Sequence, residues 1–240
     1  MTVLSNALKH LSLAILDILF PIECLGCGKE KEWLCEPCVH KLPLEEPSVC
    51  FVCKQVSPQG KTCFACKKEF SMEGVFYFLN YDTPVVRRAI MCGKYSYVEE
   101  IFYRLIRFLG PHVEAIGDAL EMDPRALLVV PMPLHPRRLR ERCFNQAAIL
   151  GKEVASILHA RYGEPLARVR DTLHQADLDE EDRRRNIEKA FVCKAPQEVQ
   201  EKYVLVVDDV ATTGSTLAAC AIELKKAGAR AVWGLVLAKG

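Results

Sequence analysis

Residues 204–216 read Val-Leu-Val-Val-Asp-Asp-Val-Ala-Thr-Thr-Gly-Ser-Thr, an aliphatic run that ends in two adjacent carboxylates and then in small hydroxyl residues around a glycine. Four consecutive aliphatic residues suit a strand buried on both faces, as in a parallel sheet. Folding alone does not call for Asp208 and Asp209 at its end. In open parallel sheets, ligands bind beyond the carboxyl ends of the strands. The turn from Ala211 to Thr216 leads into a helix, so its backbone N–H groups and the helix dipole favour an anion. Thr212, Thr213, Ser215 and Thr216 add hydroxyl donors, and Gly214 lets the backbone approach closely. A phosphate cradle beside two acids fits a phosphorylated sugar. The acids can accept bonds from vicinal hydroxyls or hold Mg2+ through water. The stretch has no G-K-[ST], so it is not a Walker loop.

A second chemistry lies near the N-terminus. Eight of the twelve cysteines form four C-x-x-C pairs: Cys24/Cys27, Cys35/Cys38, Cys50/Cys53 and Cys63/Cys66. Repeated two-residue spacing is a thiolate-zinc pattern, and it implies a reducing compartment. Two units of four thiolates imply about two structural zinc ions. Short loops favour each ion closing within its own unit, and an interleaved arrangement stays open at this point. His40 is read as a surface residue, although it could replace a ligand.

The remaining candidates are cationic. His135, Arg137, Arg138, Arg140 and Arg142 follow an apolar run and could clamp pyrophosphate or track a nucleic-acid backbone. A solvated basic loop is the bland alternative. Arg183, Arg184 and Arg185 follow an acidic run and read equally as a charged helix face or a loop closing on ligand. Lys94, after a short helix, is a further candidate phosphate contact.

The elements that must position these groups alternate. Residues 75–81, 126–133, 203–209 and 231–238 read as strands. Residues 85–109, 144–163 and 215–229 read as helices, the last two closed by Gly163 and Gly228. Alternation of this kind predicts a mostly parallel α/β sheet. Residues 1–21 predict an amphipathic helix, too short and too acidic at Asp17 to span a membrane. It is expected to dock on the protein, with contact at a membrane surface left open. Residues 22–70 carry too little aliphatic content to fold without metal, and residues 74–240 form the α/β domain. Across the chain 32 basic residues face 31 acidic ones, so no global field points to nucleic acid or membrane. A cytoplasmic protein is expected.

Residues 204–216 resemble the phosphoribosyl-pyrophosphate (PRPP) motif of type I phosphoribosyltransferases. That resemblance implies a 5-phosphate site on residues 212–216, ribose hydroxyls on Asp208 and Asp209 as the candidate catalytic pair, and Mg2+ entering with PRPP. Lys94, His135 and Arg137 become candidate ligand contacts. Purine-salvage members carry a carboxylate three residues after the second acid. Thr212 stands there, which disfavours purine salvage.

The rest of the chain is similar to the ComF family. The residues that carry this are the strand ending in Val-Pro-Met-Pro with the following Arg-Cys-Phe-Asn-Gln, the segment 171–191, and the cysteine region with its preceding apolar helix. Where the family usually has glycine, this chain has Cys143, and the family residue at Ala211 is usually larger. The resemblance implies handling of single-stranded DNA in natural transformation, with Arg137, Arg138, Arg140 and Arg142 as candidate DNA contacts and competence-machinery proteins as candidate partners. Two readings follow: a PRPP-binding, DNA-handling factor, or an active Mg2+-dependent phosphoribosyltransferase with an acceptor unrelated to DNA. The cysteine region, with eight lysines against eight acids in residues 1–70, has no basic footprint. Lys67 and Lys68, or stacking by Trp33 and Phe64, are its candidate DNA contacts, and a docking or scaffold role suits it equally.

Overall fold

The computed structural model describes residues 21–45, 49–68, 70–120, 122–171 and 190–240. The expected N-terminal helix and the cluster Arg183–Arg185 lie outside these residues. The chain separates into two compact units, one ending at Leu42 and one starting at Pro43. The smaller holds the first cysteine group and helix α1 (Glu36–Val39), which starts directly after Cys35 with proline at its beginning. The larger holds both the second cysteine group and the α/β elements.

The larger unit contains β1 (Gly74–Asn80), α2 (Pro84–Tyr95), α3 (Glu100–Leu120), β2 (Leu127–Pro131), α4 (Pro136–Arg142), α5 (Gln146–Ile157) and β3 (Arg161–Tyr162). It continues with β4 (Leu166–Arg168), β5 (Phe191–Cys193), α6 (Pro196–Val199), β6 (Tyr203–Ala211), α7 (Ser215–Lys226) and β7 (Ala231–Lys239). Five strands form a parallel sheet in the order β1-β7-β6-β2-β3, and β4 and β5 pair antiparallel beside it.

The core follows from strand periodicity, because alternate residues share a face. Leu128, Val130, Val204, Val206, Val232 and Val236 are fully buried with Leu217, Cys220, Ala221 and Leu224 of α7. Leu205, Val207 and Val129, of opposite parity, are buried as well. Helix α5 packs on β2 and β6, and α3 packs on α5. Cover on both faces explains why these strands read as continuous apolar runs rather than alternating ones.

Three boundaries differ from the expectation. The helix foreseen over 85–109 is two helices, broken between Tyr95 and Glu100, with Tyr97 at a positive φ of 60°. The second continues through Pro111 to Leu120. The helix foreseen to Gly163 stops at Ile157, because residues 161–162 pair with β2 as an edge strand. Among the described residues no helix is long and apolar enough to cross a membrane.

Cys143 caps α4 in the left-handed region, at φ 62°. A side chain therefore stands where glycine is sterically preferred. Replacing Cys143 by glycine relieves this strain against a smaller gain in unfolded-chain entropy, so Cys143→Gly is expected to stabilise the protein by about 1 kcal/mol in denaturant unfolding. A loss of stability would contradict the assignment of strain to this residue.

Candidate functional site

The site is created by unequal strand lengths. β2 ends at Pro131, opposite Val207 of β6, and the N–H of Met132 donates to the Val207 carbonyl at 2.8 Å. β6 runs on, and from Asp208 to Ala211 it pairs only with β7. β2 leads outward to β3 and β6 to β7, so the chain diverges between β2 and β6. A crevice at their carboxyl ends is the expected ligand position for such a sheet.

The two acids occupy its floor and differ sharply. Asp209 is 2% exposed. It forms an ion pair with Lys94 at the end of α2, and its Oδ1 accepts from Gln146 Nε2 at 3.4 Å. Burial alone would raise its pKa, but the Lys94 ammonium outweighs this and lowers it. The same pair raises Lys94 against the pull of its own burial. Asp208 keeps partial exposure, and its Oδ1 accepts from the Asp209 N–H at 2.9 Å. Burial first, and the Asp209 charge second, hold the Asp208 proton well above the usual carboxylate range. One acid is thus an ion and its neighbour an acid that resists ionising.

The phosphate turn follows. Gly214 has φ 75° and is the N-cap of α7, a helix of 12 residues. A Cβ at this position would lie 2.9 Å from the Phe70 ring and 3.0 Å from the Phe51 ring. Both the backbone conformation and the available space therefore require glycine. Thr213 Oγ1 and Ser215 Oγ lie 2.6 Å apart, and the Ser215 N–H donates to Thr213 Oγ1 at 3.4 Å. Thr212 is exposed, and Thr213, Ser215 and Thr216 are half-buried, so the hydroxyl edge stays accessible while the glycine edge is packed.

That packing comes from the second cysteine group. Phe51 lies between Cys50 and Cys53, and it stacks on Phe70 with ring centroids 6.4 Å apart. Lys239 Nζ sits 5.1 Å from the Phe51 ring centre and 4.8 Å from that of Tyr77.

The cysteines form two sets, Cys24/Cys27/Cys35/Cys38 and Cys50/Cys53/Cys63/Cys66, with all sulfurs of a set within 4.8 Å of one another. The pairing is sequential. Sγ separations of 3.5 Å (Cys24–Cys35), 3.7 Å (Cys27–Cys35) and 3.6 Å (Cys53–Cys63) suit one tetrahedral zinc, whose bonds of about 2.3 Å put sulfurs about 3.8 Å apart. Burial works against the Cys24 and Cys50 thiolates, but nearby backbone N–H groups outweigh it and bring both to about 6. Neighbouring Cys35 and burial push Cys38 up to about 12, and burial and Cys63 do the same to Cys66. A cation shared by four sulfurs resolves that conflict, and such closed sites are structural. His40 Nδ1 pairs with the Glu36 carbonyl at 2.9 Å and joins neither set.

The basic cluster is more engaged than its composition suggested. His135 caps α4, accepting from the Arg137 N–H at 3.4 Å. Arg137 reaches Glu141 at 3.0 Å and Asp171 at 3.3 Å, and Asp171 also lies 3.8 Å from His135 and 3.9 Å from Arg138. Arg142 donates to Gln146 Oε1 at 3.4 Å and to the Tyr95 hydroxyl at 3.5 Å. Arg140 is exposed. Lys94, foreseen as a phosphate contact, pairs with Asp209 in this structure, because a 2% exposed carboxylate draws the nearest cation.

Sequence reasoning missed several participants. Gln146 and Asn145 stood in the quoted Phe-Asn-Gln segment without a role. Asn145 caps α5 by accepting from the Ala147 N–H and ties it to β2 by donating to the Met132 carbonyl at 3.0 Å. Phe144 packs edge-on against Phe102, 6.3 Å away. Asp171 and the buried Arg168, whose pKa is lowered by burial and then by Arg138, carry no spacing signal.

The acid pair predicts a pH dependence. Between the unfolded and folded pKa of Asp208 the native chain holds a proton that the unfolded chain has lost, so this residue makes stability fall as pH rises through that window. Asp208→Asn removes the effect. Its melting temperature without ligand is expected to exceed that of the unaltered protein at pH 7.5, with the gap narrowing towards pH 4. An equal or lower value at pH 7.5 would contradict the assignment.

Comparison with known proteins matches these two parts separately. The phosphoribosyl transferase domain family covers residues 145–239, and the double zinc ribbon domain family covers residues 15–67. The chain is 31% identical to the DNA utilization protein YhgH of Escherichia coli K12 over 218 residues, 83% of this chain and 93% of that protein. It is 30% identical to the protein of that name in Salmonella typhimurium, over 87% of this chain and 85% of the relative. It is 36% identical to Competence protein F of Haemophilus influenzae over 233 residues, 91% and 98% of the two chains. With both domains matched and near-full-length relatives at 30–36% identity, the chain belongs to the ComF family, with a phosphoribosyl transferase domain following a double zinc ribbon.

Proposed function

We propose that this protein binds PRPP with Mg2+ in the crevice between β2 and β6 and acts in the handling of single-stranded DNA during uptake. One observation carries the first half: Asp208 and Asp209 lie where β6 extends past the end of β2, followed by the glycine turn that opens α7. The accessible hydroxyls of Thr212, Thr213, Ser215 and Thr216 and the first turn of α7 receive the 5-phosphate. Asp208, the partly exposed acid, meets the ribose hydroxyls. Asp209 holds the floor through Lys94 and Gln146. Asp208 and Asp209 would hold Mg2+ through water when it enters with PRPP, and the ion would supply charge neutralisation for the pyrophosphate. The names of the relatives, DNA utilization protein and Competence protein F, support the second half.

Calorimetric titration with PRPP and Mg2+ tests the site. Saturable binding is expected for the unaltered protein, and a loss of at least about tenfold for Asp208→Asn with Asp209→Asn at unchanged zinc content. Because Asp208 resists ionising in the unliganded protein, binding of a cation and sugar there should also release protons, so the measured heat should differ between buffers of different ionisation enthalpy. Normal PRPP affinity in the double variant would overturn the assignment.

A further inference from the structure

A cleft of about 140 Å³ opens beside the acid pair, lined by Lys94, Tyr95, Tyr97, Arg138, Glu141 and Arg142. Its walls are the end of α2, the break that follows, and α4. Three features set it apart from an ordinary surface hollow. First, it displays two tyrosines, Tyr95 at 51% and Tyr97 at 56% exposure, where large aromatic surface is normally covered. Second, cations dominate its lining: Lys94, Arg138 and Arg142 stand against one carboxylate, Glu141, with Lys94 paired to Asp209, Arg138 3.9 Å from Asp171 and Glu141 3.0 Å from Arg137. Third, it is wired to the crevice. The Arg142 guanidinium lies 5.2 Å from the Tyr95 ring centre and donates to Gln146, which donates to Asp209, the partner of Lys94. Tyr97 has a backbone φ of 60°, a conformation costly for a tyrosine.

Exposed aromatic faces flanked by arginines suit a flat π-system carrying negative charge. We infer that this cleft seats one base of a single-stranded nucleic acid, stacked on Tyr95 and Tyr97, with its backbone phosphate towards Arg138 and Arg142. The exposed Arg140 and Arg137 on the outer side of α4 continue the cationic track, which favours a strand over a free nucleotide. The inference rests on the proposed DNA role and supplies a location for it: a base held here is next to the PRPP crevice. Nothing in it requires transfer to occur.

The test uses the full zinc-loaded chain and a fluorescent ten-nucleotide thymidine strand in low salt. Tyr97→Ala shares no hydrogen bond with the acid pair, so its PRPP titration should be unchanged. Its affinity for the strand should fall at least about fivefold, as should that of Tyr95→Ala, the scale of losing one stacked base. A strand with 5-bromodeoxyuridine should photocross-link to Tyr95 or Tyr97, a readout independent of folding. Thymidine monophosphate should compete only at far higher concentration. Unchanged strand affinity in both variants, with cross-links elsewhere, would overturn the cleft while leaving the PRPP reading intact. Equal binding of the mononucleotide would overturn the assignment to a strand. Absence of strand binding by the unaltered protein would overturn both the cleft and the DNA role.

Discussion

Two phenylalanine rings pack directly against the turn at Gly214 and leave room there for glycine alone. A single added carbon would meet them at 2.9 Å and 3.0 Å, tighter than Cβ atoms ordinarily pack. Those rings belong to the segment bounded by the second cysteine set, with Phe51 between two of its thiolates and Phe70 four residues beyond the last. The metal-binding group is thus part of the foundation of the candidate phosphate site. The buried cluster that unites Phe51, Phe70, Met72 and Tyr77 with α7 and the sheet expresses this directly. A ribbon of this size buries too little apolar surface to hold itself together, so zinc provides the missing rigidity. The division of the chain at Pro43 follows the same logic, since the second cysteine set folds with the sheet it supports.

The acids show a second kind of tension. Burying two neighbouring carboxylates is unfavourable, and the structure resolves this by pairing Asp209 with Lys94, while burial and the Asp209 charge hold the Asp208 proton well above the usual carboxylate range. Breaking such a buried pair on one side costs roughly 3–5 kcal/mol, which fixes Asp209 as a structural anchor. Asp208 retains the exposure and the displaceable proton that a ligand can use. Adjacent identical residues thereby acquire different tasks from their surroundings alone.

Much of this was legible in the sequence because the signals were local. Val204–Val207 announced a doubly covered strand, the C-x-x-C spacing announced two four-thiolate sets, and the glycine between hydroxyl residues announced the turn that opens a helix. What stayed hidden depends on distant segments meeting. Nothing near Lys94 states that it will find Asp209, over a hundred residues away. Asp171, which gathers His135, Arg137 and Arg138, has no motif around it, so a basic run that looked open is partly neutralised. The break after Tyr95 was obscured because its four residues, Ser96 to Glu99, include no proline or glycine, and β3 because two residues are too few to show alternation. The partition of the cysteine sets between the units was equally invisible, since both have the same spacing.

The central claim is that an anion is gripped at the first turn of α7, on the packed glycine turn and next to the acid pair. A crystal structure of the zinc-loaded protein with ribose 5-phosphate and Mg2+ tests it most directly. The account predicts phosphate oxygens within hydrogen-bonding distance of the N–H groups and hydroxyls of residues 212–216, with the ribose hydroxyls turned towards Asp208. Phosphate seated on the arginines of α4, with the glycine turn making no contact to it, would contradict the account.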